Sequence, residues 1–376
     1  MNHALQTVLL SSSKARSLIT RPIPIFTFIL KKIGYGLLVM LGVISIVFFL
    51  FHVLPGNPAS LMAGQRTDVS TVDAIEKEFG LKEPLYKQFL FYINDLSFVS
   101  LHEDSFENEI KYEYTASISM TESLVLVVKA PYLRRSFQTN KKVSEILMED
   151  MEGTFWLAFA SMFFASVIGI WGGVIAAIRK GTWVDHVILS SSVVGVSIPS
   201  YVAAVLISLI FGYYLSDYTG LNLTGQLWES TPLAGRKLHL ENLILPALTL
   251  GLRPLSMIVQ LTRGSMLDAL SQDYVRTARA KGLSSRVVVF KHALRNALNP
   301  VITAISGWLA AVLTGAFFVE YIYGWKGIGT TTIKAVTSLD LPVVMGATLL
   351  IAIIFVIINS ITDIVYAWID PRIRLK

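Results

Sequence analysis

The sequence predicts an all-α membrane protein with about six spanning helices. Three observations lead there. Of the 376 residues, 53% are hydrophobic and only 15% charged, whereas a soluble domain carries about 25% charged residues. The apolar residues are gathered into segments near the ~20 residues that crossing hydrocarbon requires. Lysine and arginine crowd into alternate connecting segments, as they do in loops held on one side of a membrane. A charge at mid-bilayer costs roughly 2.5–3.5 kcal/mol on insertion scales, so the charge deficit reads as adaptation to lipid.

The first spanning segment is Ile33 to Leu54. Its 22 apolar-rich residues exceed the roughly 7–15 of a signal-peptide core. The segment runs into the turn-rich Leu54-Pro55-Gly56-Asn57-Pro58 rather than a small-residue cleavage site, so a retained helix is expected. The second is Thr154 to Ile178, and the third is Val187 to Leu215, where Pro199 is expected to introduce a kink. The fourth, Leu243 to Thr262, is the weakest, because it contains Arg253 and Pro254. The fifth is Val301 to Val319 and the sixth Val343 to Trp368. Trp156, Trp183 and Trp368 stand near proposed helix ends as interfacial anchors do, whereas Trp308 is deeper.

Orientation comes from the basic residues. The first 32 residues hold Lys14, Arg16, Arg21, Lys31 and Lys32 and no acid. With that end cytoplasmic, six crossings put 179–186, 263–300 and 369–376 on the same side. These four segments together carry 17 basic residues against four acids, Asp185, Asp268, Asp273 and Asp370. The opposite loop, 55–153, carries 16 acids and 10 bases. The chain thus divides into a cytoplasmic segment 1–32, a helix 33–54, an extracytoplasmic loop 55–153, a core 154–368 that includes the cytoplasmic loop 263–300, and a cytoplasmic tail 369–376. This sorting accounts for the net charge of +6 without nucleic acid as a partner. The absence of cysteine excludes disulfides, thiolate metal sites and Cys nucleophiles. His52 and His186 stand alone, so neither a metal nor another cofactor is expected.

Within 55–153, Val72, Ile75, Phe79, Leu85, Phe89 and Ile93 recur at helical spacing, and Gly80 interrupts them. Leu101 to Ser123 is acidic and polar, and Thr115 to Val128 alternates like a strand. A small extracytoplasmic subdomain is expected. On the other side, the stretch from Asp273 reads as two short helices: about Gln272 to Lys281, ended by Gly282, then a second to about Leu298, capped by Ser284 or Ser285. Pro300 would open the fifth spanning helix. A short basic helix on a membrane face either rests on anionic headgroups or enters a groove of a cytoplasmic partner.

The order of residues in this loop, DYVRTARAKGLSSRVVVFKHALRNALNP, resembles the cytoplasmic signature loop of bacterial ABC importer permeases. Gly282 takes the glycine position, and Arg276, Thr277 and Ala278 take the three leading positions. Tyr274 to Leu283 and His292 to Ala297, sixteen residues in all, match the dipeptide/oligopeptide/nickel class position by position. Leu54-Pro55-Gly56-Asn57-Pro58-Ala59, Phe79-Gly80-Leu81-Lys82-Glu83-Pro84-Leu85, Gly324 to Gly329, Asp340-Leu341-Pro342-Val343-Val344 and Asp370-Pro371-Arg372-Ile373-Arg374 resemble further motifs of that class. The likeness runs from the first helix to the end. The departures are a longer insert between Asn94-Asp95-Leu96-Ser97 and Arg135-Ser136-Phe137, an N-terminus that starts early, and Arg253.

The resemblance implies a type I importer permease fold with an enlarged loop between its first two helices. It also implies a second related permease subunit, cytoplasmic ATP-binding subunits, an extracytoplasmic solute-binding protein and a peptide or related small solute. In the family the signature loop docks into the ATPase. Carried over, Gly282 makes the turn, Ala278 and Ala280 keep the docking face small, and Arg276, Arg279 and Lys281 meet acidic groups or headgroups. His292, Arg295 and Asn296 brace the second short helix, and Asp273, Tyr274, Thr277 and Leu283 complete the surface. The chain contains no G-x-x-x-x-G-K-[ST] phosphate loop, since Lys180-Gly181-Thr182 lacks the upstream glycine, so it is not expected to hydrolyse ATP. Pro199 and Arg253 are the candidate pathway residues: broken helices and intramembrane charges mark transport sites, while a packing kink and an interfacial arginine are the plainer alternatives. Asp363 is expected to pair near the cytoplasmic interface, and Glu320 to be solvated at the outer edge of the fifth helix. An ion-driven secondary transporter or a membrane scaffold would also have about six helices, but neither explains the signature loop.

Overall fold

Two long parallel helices form the axis of the molecule, and their small residues are the reason they can. In a computed structural model describing residues 25–53, 76, 82–121, 123–231 and 235–369, helix α4 (Val143–Ile178) lies along α8 (Glu241–Ser271). A Cβ added at Gly173 of α4 would stand 2.5 Å from the Thr262 Cβ and 2.7 Å from the Val259 carbonyl. One added at Gly251 of α8 would stand 2.9 Å from the Ser161 carbonyl. Lipid offers no hydrophobic drive between helices, so close backbone approach at small residues provides the packing. Leu157, Ala158, Met162 and Ala165 meet Leu245, Ala247 and Ile258 in the resulting core.

The other elements gather around this pair. Helix α1 (Ile25–Val53) is followed by a subdomain of α2 (Leu85–Leu96), β1 (Val99–Glu103), α3 (Phe106–Tyr112), β2 (Ala116–Ser119) and β3 (Leu124–Val128). After α4 come α5 (Trp183–Ser197), α6 (Ser200–Leu209) with a π turn at Ile210–Tyr214, α7 (Ser216–Thr219) and the hairpin β4 (Trp228–Thr231) and β5 (Gly235–Leu238). After α8 come α9 (Asp273–Ala280), α10 (Ser285–Val287), a π turn (Val288–Ala293), α11 (Leu294–Gly315), α12 (Phe317–Ile322), α13 (Ile328–Thr337) and α14 (Leu341–Ile369). Five helical runs among the described residues are long and apolar enough to cross a membrane, and the α5/α6 pair makes a sixth if counted as one span.

Several boundaries differ from those expected, each for a physical reason. Helix α4 begins at Val143 rather than Thr154, because Val143 and Leu147 are buried against Ile328, Val343 and Ala347, which extends the helix beyond the apolar run. Pro199 breaks the third span instead of kinking it. It leaves Ile198 extended (φ −78°, ψ 126°), and α5 and α6 meet at 110°. Pro300, expected to start a helix, lies inside one: α10, the π turn and α11 run on without a stop. Ala293, Ala297 and Val301 are all buried at i, i+4 spacing across the proline, and that stripe overrides its preference.

The strand-like pattern of Thr115 to Val128 resolves into β2 and β3, which with β1 form a sheet in the order β1-β3-β2, antiparallel throughout. Helix α2 covers the later part of the periodic run expected from Val72 to Asn94 and continues to Leu96; apart from Glu76, the part before Lys82 lies outside the described residues, as do the motifs at 54–59 and 370–374. Asp95 at the end of α2 is the subdomain's polar centre. It accepts from Tyr112 Oη at 2.9 Å and from Arg134 Nη2 at 3.1 Å. Several contacts join the subdomain to the bundle, two of them at its ends. Phe48 of α1 packs on Phe89 and Tyr92, and the Asp340 carboxylate ahead of α14 accepts from Ser136 Oγ at 2.5 Å and the Phe137 N–H at 3.1 Å.

Candidate functional site

Helix α8 does not stop at the end of its apolar run. It continues to Ser271, well past the expected end at Thr262, and after Gln272 the chain turns into α9. Val275 and Ala278 of α9 are buried with Met266 and Ala269 of α8, Val174 and Ala177 of α4, and Val288, Ala293 and Ala297. The short helix is therefore clamped onto the ends of three long ones. Its other residues, Asp273, Tyr274, Arg276, Thr277, Arg279, Ala280 and Lys281, are exposed, as are Gly282 and Leu283. This corrects the expectation for Ala278: its small side chain permits packing against the permease's own core, and Ala280 alone of the two alanines faces outward.

The turn after α9 uses backbone geometry open to glycine. Gly282 has φ +76°, its N–H reaches the Arg279 carbonyl at 2.9 Å, and the Leu283 N–H reaches that of Ala278 at 3.3 Å. These two bonds define a Schellman motif, which satisfies helix-end carbonyls and needs a left-handed residue. Ser284 occupies the next N-cap position, but its side chain makes no cap hydrogen bond. His292 is half-buried, while Arg295 and Asn296 are exposed. Asn296 Nδ2 donates to the His292 carbonyl at 3.4 Å, within the same helix. These three thus belong to the base of a spanning helix and not to a separate short one.

The two candidate pathway residues come together elsewhere. Pro199 stands at the α5/α6 break, and beside it a cleft of about 180 Å³ is lined by Gly195, Ile198, Ser200, Thr249, Arg253 and Trp308, among others. Arg253 is exposed. It lies about 27 Å from the end of α8, counting 1.5 Å per residue, so the cleft and the α9 surface are separate places along one continuous helix.

Two polar groups escaped the sequence reading. The carboxylate of Asp185, in the first turn of α5 and 1% exposed, takes a two-pronged contact from Arg263 of α8. Nε lies 2.6 Å from Oδ1 and Nη2 2.7 Å from Oδ2, and the Gly181 N–H adds 2.9 Å to Oδ2. The available signal was a lone acid at a helix start in a basic loop. The second is Glu320, expected to be solvated but 0% exposed. It accepts from Thr154 Oγ1 at 2.8 Å and from the N–H groups of Gly329 at 2.7 Å and Thr330 at 3.2 Å. Burial pushes its carboxyl up to about 7, against those hydrogen bonds. Gly327 and Gly329 leave the room it occupies. Trp325, fully buried next to it, donates from Nε1 to the Gly153 carbonyl at 2.9 Å. Asp363, as expected, pairs with a lysine, Lys32 of α1.

Comparison with known proteins decides what this assembly belongs to. A family model described as binding-protein-dependent transport system inner membrane component matches residues 169–375, and one for the N-terminal part of such membrane components matches 25–158. This chain belongs to the permease family of binding-protein-dependent ABC transport systems. The permease is 33% identical over 350 residues to the glutathione transport system permease protein GsiC of Escherichia coli K12, covering 93% of this chain and 99% of that protein. It is 34% identical over 367 residues to the probable D,D-dipeptide transport system permease protein DdpB of the same strain, covering 93% and 98%. It is 32% identical over 359 residues to the dipeptide transport system permease protein DppB of Alkalihalophilus pseudofirmus, covering 89% and 96%. A solved methionine ABC transporter, MetNI, aligns with TM-score 0.46 and 16% identity over 60% of this chain and 97% of that one. The permease is a multi-pass inner-membrane component of an ABC importer and is not itself the catalytic subunit.

Proposed function

We propose that this permease, with a second related permease subunit, forms the membrane path for peptides or related small solutes, and that it is driven through α9 by cytoplasmic ATPases. The observation that carries the reading is the division of α9 into two faces. Val275 and Ala278 are held in the permease core, while Tyr274, Arg276, Thr277, Arg279, Ala280 and Lys281 are left outside. A helix clamped to three spanning helices and bare on its far side suits a groove in a partner, because force applied to it reaches the bundle without slack. The basic residues on it complement an acidic groove wall, and Asp273 with Arg276, both highly exposed and 3.4 Å apart, forms too weak a pair to withhold the arginine. Peptide as cargo is supported by the relatives, which are named for glutathione, D,D-dipeptide and dipeptide transport.

The proposed orientation puts both termini and α9 in the cytoplasm and the α2–β3 subdomain outside, where a solute-binding protein delivers cargo. Pro199 and Arg253 then border the path at the α5/α6 break. A guanidinium within a spanning helix is tolerated where it faces water or an anionic group, and the cleft at the break supplies such a place. The test is affinity purification of the complex from native membranes in mild detergent. The expected result is co-elution of an ATPase carrying a phosphate loop, lost when Arg276, Arg279 and Lys281 are replaced together. An intact permease that brings no ATPase under conditions preserving a control ABC complex would overturn the reading.

A further inference from the structure

We infer that the Asp185–Arg263 pair is a latch that makes the broken helix pair α5/α6 follow the displacement of α9, so that both residues act as positioning residues in transport. The inference rests on the reading of α9 as the ATPase-docking helix. It starts from a mechanical question. The surface that would receive force is α9, and the cleft that borders the path lies about 27 Å away along α8. Helix α8 links the two as one continuous rod, but the opposite wall of the cleft is formed by Gly195, Ile198 and Ser200, from the far end of α5 and the start of α6. For the cleft to change shape in a controlled way, α5 must be attached to α8 at defined points.

The structure supplies two such points. Near the break, Gly195 of α5 lies against Ser256 of α8, so closely that an added Cβ would be 2.5 Å from the Ser256 Oγ. At the other end of α5, Arg263 grips Asp185 through two hydrogen bonds of 2.6 and 2.7 Å. Arg263 lies about 12 Å before the end of α8 by helical rise, on the portion that bears α9. The grip is rigid for three reasons. A guanidinium meeting a carboxylate with two parallel bonds fixes direction as well as distance. Asp185 is almost wholly buried, so water does not compete for it. The same carboxylate also takes the Gly181 N–H at 2.9 Å, which ties the tight turn between α4 and α5 into the contact. An ordinary surface ion pair has none of these properties. With one attachment near each end, α5 travels with the lower half of α8, and the hinge is left at Ile198–Pro199.

The absence of native cysteine makes the test direct. Two cysteines are introduced for spin labels, at the exposed positions Val187 on α5, near the Asp185 end, and Phe355 on α14, in the full transporter purified with its ATPase. The label separation is measured by pulsed electron paramagnetic resonance in nucleotide-free protein and with ATP trapped by vanadate. The expected result is a nucleotide-dependent change of separation in the otherwise native permease. In Asp185→Asn and in Arg263→Lys that change is lost, with ATPase co-purification and ATP hydrolysis retained. The lysine variant keeps the charge but lacks the fork, and serves if the asparagine variant does not assemble. A separation change that persists in both variants would overturn the latch and leave the docking reading intact. No change in the native background, with the ATPase bound and active, would overturn the docking reading and the latch with it.

Discussion

Gly282 offers the sharpest prediction because its surroundings separate two explanations that usually coincide. Its φ is +76°, and no atom lies within 4 Å of where a Cβ would be. Space is therefore available to any side chain, and what forbids substitution is the left-handed backbone. An L-residue with a Cβ pays about 1–2 kcal/mol there, a factor of roughly 5–30 in the population that keeps the turn. Asparagine tolerates this region better than alanine, and a β-branched residue tolerates it worst. The affinity of purified permease for its ATPase is thus expected to weaken in the order Gly282→Asn, then Gly282→Ala, then Gly282→Val, with alanine losing about 5–30-fold. Titration of labelled ATPase against permease in nanodiscs measures it. Side-chain volume predicts a different order, since alanine is smaller than asparagine. Finding alanine milder than asparagine, or valine equal to glycine, would refute the backbone argument and the role of this turn in presenting α9.

The end of the bundle remote from α9 yields two further expectations. Glu320→Ala strands the buried N–H groups of Gly329 and Thr330 and is expected to destabilise the permease by about 2–4 kcal/mol, whereas Glu320→Gln, which keeps an acceptor, costs clearly less; thermal unfolding in detergent compares them. Because burial raises the Glu320 carboxyl from 4.5 to about 7, the folded state holds its proton more tightly than the unfolded chain does. Its stabilising contribution is complete below about 4.5 and is lost as pH rises through about 7, and this component of the pH dependence should vanish in Glu320→Gln. At the helix axis, Gly173→Ala drives a Cβ to 2.5 Å from the Thr262 Cβ and should cost about 1–3 kcal/mol as α4 and α8 are forced apart. Gly172→Ala, whose nearest atom would be the Val259 Cγ2 at 3.5 Å, is the control expected to be almost neutral.

Much of the architecture was legible in the chain alone because lipid imposes simple demands. Apolar length located the spans, and Gly282 marked a helix end that proved to have a positive φ. Each of these signals is local: it depends on a window of sequence and not on what packs against it. The α9 segment was likewise located from the order of its residues, and its residues other than Val275 and Ala278 are exposed. The boundaries of α4 and of the α10–α11 run were misjudged where tertiary burial extended a helix past its apolar run, as at Val143, or past a proline, as at Pro300.

By itself, then, the sequence determined a helical membrane protein, the positions of its spans and the signature loop. Only the tertiary structure decided which way each residue faces and which distant groups meet. Ala278 turned inward because α9 lies across the ends of α4 and α8. Glu320 became buried because α12, α13 and α4 converge on it across 166 residues of chain to Thr154. Asp185 found Arg263 78 positions away. A lone charge in a sequence carries no record of its partner: pairing is a property of helix packing, and helix packing is set by the small residues that let α4, α5 and α8 approach.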